Sequence, residues 1–211
     1  MLILKGTIMK EIVQLMPGYR MNDYLLVLTP HEELRNRITQ IKKDFYEAFK
    51  SSKALWGKPH VALLKFSQFE MLEERIVNRL KTVAMGYHPI KVELKDFGSF
   101  PSHTIYINVP TKEPIRQLLK QIKEDQRLFR PDNDHKPHFI DDPYFTIASK
   151  LLPWQYEKGW LEYSNRHFTS RFIADSMLLL KRRQGDKAWQ IVQRFDFMNL
   201  PVSTRQGELF G

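Results

Sequence analysis

The chain contains no cysteine. Disulfides, thiol catalysis and thiolate metal sites are thereby excluded. Long apolar runs are also missing. None approaches the roughly 18 residues a membrane span requires, and the opening run of four, Met1–Leu4, stops at Lys5 without a secretory cleavage pattern. No Walker or dinucleotide fingerprint is present, and the "GKP" at Gly57 is too short for a phosphate loop. A serine-hydrolase elbow is absent too. These absences give the expectation of a soluble, cytoplasmic protein with no bound cofactor and no membrane partner.

What is present suits a packed core. Of the 211 residues, 42% are apolar and 12% aromatic, above the range of chains that stay disordered. The length fits one compact domain of two lobes or two small domains. Basic residues number 33 against 24 acidic ones, a formal net charge of +9. That excess favours anionic partners such as nucleotides and nucleic acids. The charge is dispersed, with short clusters such as "KRR" at Lys181–Arg183, which suits a small anion site better than a long duplex.

Strand and helix signals alternate along the chain. "YLLVLTP", Tyr24 to Pro30, reads as a buried strand ended by proline. Leu34, Ile38, Ile41 and Phe45 follow at helical spacing, with Glu32 and Glu33 in the first turn where the dipole favours anions. His60 to Phe66 is a strand, and Leu72, Ile76, Leu80 and Val83 mark a second helix. "IKVELKDFGSF" alternates as one strand, and "HTIYINVP" as another. Ile115, Leu118, Leu119 and Ile122 mark a third helix, after which residues 127–143 are polar and rich in turn formers, so a loop is expected. Tyr144 to Ser149 is a strand. Residues 157–168 fit a short helix or a loop equally, and residues 169–197 read as a closing hairpin. The expected organisation is an N-terminal extension (1–20), one bilobal domain (21–198) and a C-terminal tail (199–211), frayed or docked as an arm. The fold class expected is α+β, with largely antiparallel sheets and outer helices.

One strand is written twice. "KPHVALLKF", from Lys58, reappears as "DPYFTIASKL", from Asp142, with His60 and Tyr144 84 positions apart. In a strand, residues i and i+2 share a face. His60 and Ala62 therefore point one way, as do Tyr144 and Thr146, while Val61, Leu63, Phe145 and Ile147 point into the core. If the halves are related by a pseudo-two-fold axis, the two polar faces meet across a cleft.

The doubled Pro-His-x-Ala-Leu and Pro-Tyr-x-Thr-Ile pattern resembles the two-histidine phosphoesterases, which include the bacterial 2′-5′ RNA ligases. The resemblance runs from about Tyr24 to Phe197. It implies a bilobal, pseudo-two-fold fold with an His-x-Thr/Ser on each wall of a cleft, one histidine acting as general base and the other as general acid. It also implies RNA-type substrates: 2′,3′-cyclic phosphates, 2′-5′ linkages, or nucleotides bearing them. Two of the four motif residues match. His60 falls on the first histidine and Thr146 on the second hydroxyl, whereas Ala62 leaves the first hydroxyl position empty and Tyr144 takes the second histidine's place.

The substitutions alter the chemistry. A histidine titrates near pH 6.5 and can exchange protons at neutral pH, but a tyrosine near pH 10 stays protonated and acts as a hydrogen-bond or proton donor. The expected site is therefore His60 and Tyr144 as catalytic residues, and His60, Thr146 and Tyr144 as phosphate ligands, in a phosphodiesterase or RNA ligase-like protein with impaired or altered catalysis. Two alternatives stand beside it: a catalytically silent module that binds a nucleotide or RNA end, and a scaffold whose cleft Tyr144 plugs. His103, Arg171 and His138 are further candidates for lining the cleft; Arg171 would suit a phosphate through its guanidinium. His135 and His138 lack an obvious third ligand, so no metal site is expected. Trp154, Trp160 and Trp189 are candidate base-stacking surfaces, though packing is the commoner use.

Overall fold

Tyr24 to Leu28 are buried without a break, as befits a central strand covered on both faces. In the computed structural model, which describes Met16 and residues 18–201, this segment is β1 (Met21–Leu28). It pairs with β2 (Val61–Phe69) on one side and β9 (Ser176–Arg183) on the other. With β10 (Gln190–Asp196) and the short β6 (His138–Phe139) it forms a five-stranded antiparallel sheet, β10-β9-β1-β2-β6.

The remaining strands make two smaller antiparallel sheets. β4 (Phe97–Phe100), β5 (Thr104–Asn108) and β7 (Tyr144–Ser149) form one, and β3 (Ile90–Lys95) pairs with β8 (Thr169–Ala174) in the other. Among the described residues four α-helices complete the fold: α1 (Glu32–Phe49), α2 (Glu73–Gly86), α3 (Glu113–Lys123) and α4 (Pro153–Tyr163). The order β1-α1-β2-α2-β3 thus recurs as β5-α3-β7-α4-β8, the α+β duplication read from the sequence.

The halves exchange their first helices. α1 leaves a strand of the five-stranded sheet and returns to it, yet it packs on β7 and α4. α3 leaves β5 and packs on α2, and Phe129 beyond it stacks edge-on against Phe66 of β2, 5.1 Å between ring centroids. On α1, Leu34, Ile38, Phe45 and Phe49 are buried at helical spacing. Phe45 meets Tyr163 of α4 at 5.3 Å. Gly159 permits that approach, since a Cβ there would lie 2.9 Å from the Phe45 ring. Gln155 ties the ends of the two helices: its side chain donates to the Phe49 carbonyl at 2.9 Å and accepts from the Leu152 N–H at 3.0 Å.

Several sequence expectations change. "IKVELKDFGSF" is two strands in two sheets, because Asp96 adopts a left-handed φ of 55°. There its N–H donates to the Phe168 carbonyl and its own carbonyl accepts from the Asn108 N–H. The closing hairpin holds only β9 and β10, since β8 pairs with β3. The 127–143 loop includes β6, where His138 pairs with Lys65 of β2. Residues 157–168 open inside α4, whose buried stripe is Gln155, Gly159 and Tyr163. That stripe carries little apolar signal, so periodicity did not mark it. Met198 to Leu200 hydrogen-bond to the end of α2. Residues 1–15, 17 and 202–211, where most of the expected extension and tail fall, lie outside the described residues.

Candidate functional site

β2 and β7 carry the same irregularity. On β1, Leu26 and Val27 pair with Leu64 and Ala62, leaving Leu63 as an extra residue. On β5, Ile105 and Tyr106 pair with Ala148 and Thr146, leaving Ile147 extra. Such β-bulges place an unpaired residue in one strand and bend it. Both put two consecutive apolar side chains into the core, Leu63 and Leu64 in one wall and Ile147 and Ala148 in the other, all fully buried. The next residues, Lys65 and Ser149, are thereby turned onto the face of Ala62 and Thr146. Leu63 and Ile147 are separated by the same 84 positions as His60 and Tyr144.

The two faces meet at one cavity of about 190 Å³. His60, Ala62 and Lys65 line one side, and Tyr144, Thr146 and Ser149 the other. The space far exceeds the about 10–15 Å³ that one water needs. Tyr144 does not plug it. Its ring rests edge-on against Phe100 at 5.2 Å and beside Tyr106 at 5.0 Å, which corrects the plugged-scaffold alternative.

The imidazole of His60 is oriented by the segment that leads into β2. Nδ1 lies 2.8 Å from the Lys58 carbonyl. A carbonyl only accepts, so Nδ1 carries the proton and Nε2 keeps its lone pair. Burial lowers the His60 pKa, the Lys58 carbonyl opposes this, and Lys42 and Lys65 lower it further. The ring is therefore neutral at pH 7, with one nitrogen able to accept a proton. The Tyr144 hydroxyl is raised above its usual value by burial, then by Tyr106 and Asp142, so it remains a donor. Thr146 is exposed to the cavity.

The sequence reading missed most of the charge. Lys42, Lys53, Lys58, Lys65 and Lys150 all line the cavity, with no carboxylate among its lining residues. Trp56, 64% exposed, stands at the rim. Lys42 could have been found: it falls four residues after Ile38, on the apolar stripe of α1, where an amine is out of place. Of the other lysines, Lys53 lies in a 3₁₀ turn, Lys65 in β2, and Lys58 and Lys150 in connecting segments, and no sequence spacing unites them.

Three candidates lie elsewhere. His103 is exposed in the turn before β5, with Nδ1 2.6 Å from the Thr104 hydroxyl. Arg171 is exposed on β8, in register with Glu93. His138 is exposed on β6 and does not line the cavity. Trp154, Trp160 and Trp189 are likewise outside it, and Trp189 packs under Arg182 at 4.6 Å. Among the described residues no three His, Asp or Glu side chains group closely enough to hold a metal ion, and no helix is long and apolar enough to cross a membrane.

A doubled bulged strand facing itself across a basic cavity defines a class, and the match to a known family agrees. Residues 30–186 match the 2′-5′ RNA ligase superfamily, and the chain belongs to that family. Solved structures share the fold. E. coli LigT complexed with 3′-AMP superposes with a TM-score of 0.61 at 10% identity, covering 84% of this chain and 98% of that one. TT0787 of Thermus thermophilus gives 0.58 at 14% identity, covering 83% and 98%. E. coli LigT complexed with NADP+ gives 0.57 at 13%, covering 84% and 99%. No curated protein matches the chain.

Proposed function

We propose that the cleft binds the phosphate of a nucleotide or RNA end and acts slowly on a 2′,3′-cyclic phosphate or a 2′-5′ linkage, with His60 as its single imidazole. The observation that carries this reading is the convergence of His60, Tyr144 and Thr146 with five lysines and no carboxylate on one cavity. The nucleotide complexes of LigT support it in kind.

In hydrolysis of a cyclic phosphate, Nε2 of His60 takes a proton from water and the water oxygen attacks phosphorus. The bond from phosphorus to one ribose oxygen breaks, and the leaving alkoxide takes the Tyr144 proton. The phenolate then recovers a proton from the imidazolium through solvent. Thr146 and the lysines hold the non-bridging oxygens, whose charge grows in the transition state. Trp56 offers its face to the base, and stacking of this kind contributes about 1–3 kcal/mol.

The second reading is binding without turnover. It is favoured by Ala62, which donates nothing, and by the raised pKa of Tyr144, which makes proton transfer slower. Incubation with 2′,3′-cyclic nucleotides and 2′-5′ dinucleotides, beside titration with short RNA at two salt concentrations, separates the two. Turnover abolished by His60→Ala supports the enzyme. Binding that tightens at low salt without turnover supports the module. Neither binding nor turnover would sink both.

A further inference from the structure

Lys42 is the single charged side chain in the interior among the described residues; the other buried polar groups, Asn22, Ser51, Gln68, Thr104, Gln155 and Ser176, are neutral. It is 6% exposed. Its Nζ donates to the carbonyls of Trp56 at 2.7 Å and Gly57 at 2.8 Å. An ammonium has three donors, so one N–H remains, and the side chain borders the cavity near His60. Burial alone lowers its pKa, to about 8, with no carboxylate opposing the shift. A buried amine left without a counter-ion is costly, and groups held at such cost cluster at functional sites.

The wall beside it carries Lys65 but lacks a hydroxyl. Thr146 offers a hydroxyl on the β7 side, whereas Ala62 offers none on the β2 side. We infer that Lys42 is a phosphate ligand of the β2 wall, supplying from α1 the donor that Ala62 lacks. This rests on the phosphate-binding reading of the cleft. α1 makes the placement possible because it crosses between the halves, so its buried face reaches a gap that neither strand fills.

The groups facing Lys42 across the cavity are His60 and Lys65 of the β2 wall, Tyr144 of the β7 wall, and Lys53, Lys58 and Lys150 at the rim. His60 titrates below 6.5 and Tyr144 above 10. Lys65 is also lowered by burial, so it needs its own variant. A nucleoside 3′-monophosphate is a suitable probe, since its phosphate is already a dianion above about pH 6.

Calorimetric titration with adenosine 3′-monophosphate at pH 7 and pH 9 should show wild-type affinity falling as Lys42 loses its proton. Lys42→Met should bind about 10- to 100-fold more weakly at pH 7, the loss expected for a charged hydrogen bond, and with a flatter pH response. Lys65→Met should keep most of the pH response. Wild-type-like affinity of Lys42→Met at pH 7 would overturn the inference while leaving the reading of the cleft intact. A lowered thermal midpoint with unchanged affinity would do the same, making Lys42 a tether for residues 56–57. If Lys42→Met does not fold, acetylation of the wild-type protein decides, read by mass spectrometry: the nucleotide should protect Lys42 but not Lys181, which pairs with Glu73 outside the cleft. Absence of that protection overturns the inference. No binding by wild type would remove the phosphate reading and the inference together.

Discussion

β2 and β7 share a bulge, a burial sequence and a face toward the cavity, yet one wall presents an imidazole and a lysine and the other a phenol and two hydroxyls. Val61, Leu63 and Leu64 are matched inward by Phe145, Ile147 and Ala148, all fully buried. Core packing tolerates little change in volume, so these residues fix where the strand bends and which side chains reach the gap. The outward residues fill no core. Ala62 and Thr146, or Lys65 and Ser149, can differ without moving the backbone. The framework is symmetric because packing demands it, and the chemistry is asymmetric because nothing in the packing forbids it.

Removing the imidazole attacks the comparison at its sharpest point. His60→Ala should lower any turnover of a 2′,3′-cyclic nucleotide by about 10²–10⁴-fold, the usual contribution of a general base, in a steady-state assay. An unchanged rate would deny His60 that role. In the wild type, kcat/KM should rise with pH through an apparent pKa below 6.5, because burial favours the neutral ring that accepts the proton. A rising limb above 6.5 would contradict the arrangement.

Restoring symmetry is the converse experiment. The double variant Ala62→Thr with Tyr144→His places His-x-Thr on both bulged walls. Turnover of the same substrate should increase by about 10- to 100-fold, somewhat under the full value of a general acid. No gain, with the fold intact, would mean that the walls do not act on one ligand.

Smaller effects test the rim and the frame. Trp56→Ala should weaken nucleotide binding by about 1–3 kcal/mol while leaving inorganic phosphate binding unchanged; equal losses for both ligands would deny base stacking. Gly159→Ala forces a methyl group to 2.9 Å from Phe45, and overpacking of this kind costs about 1–3 kcal/mol. Chemical denaturation should show that loss. A neutral result would mean that α1 and α4 can part, and that the exchange of helices is looser than the packing implies.

The repeated strands announced themselves, as did the first three helices, because their apolar residues follow periods of 2 and 3.6. α4 did not, since the face it buries is Gln155, Gly159 and Tyr163. The break at Asp96 was also hidden: a left-handed residue inside an alternating stretch leaves no mark in hydropathy. Of the cleft, the motif positions His60, Tyr144 and Thr146 were readable. Trp56 and the lysines were not, and His103, Arg171 and His138 were readable as candidates but lie elsewhere.

By itself, the order of residues determined most of the strands and the first three helices, that two strands are copies, and that one copy has an imidazole where the other has a phenol. These are local matters, decided by the alternation of side chains and by the acidity of single groups. Only the tertiary structure decided that α1 and α3 change sides, that both bulges aim their faces at one cavity, and that five lysines gather there. Those outcomes depend on contacts between residues tens of positions apart, which packing selects and local sequence does not encode.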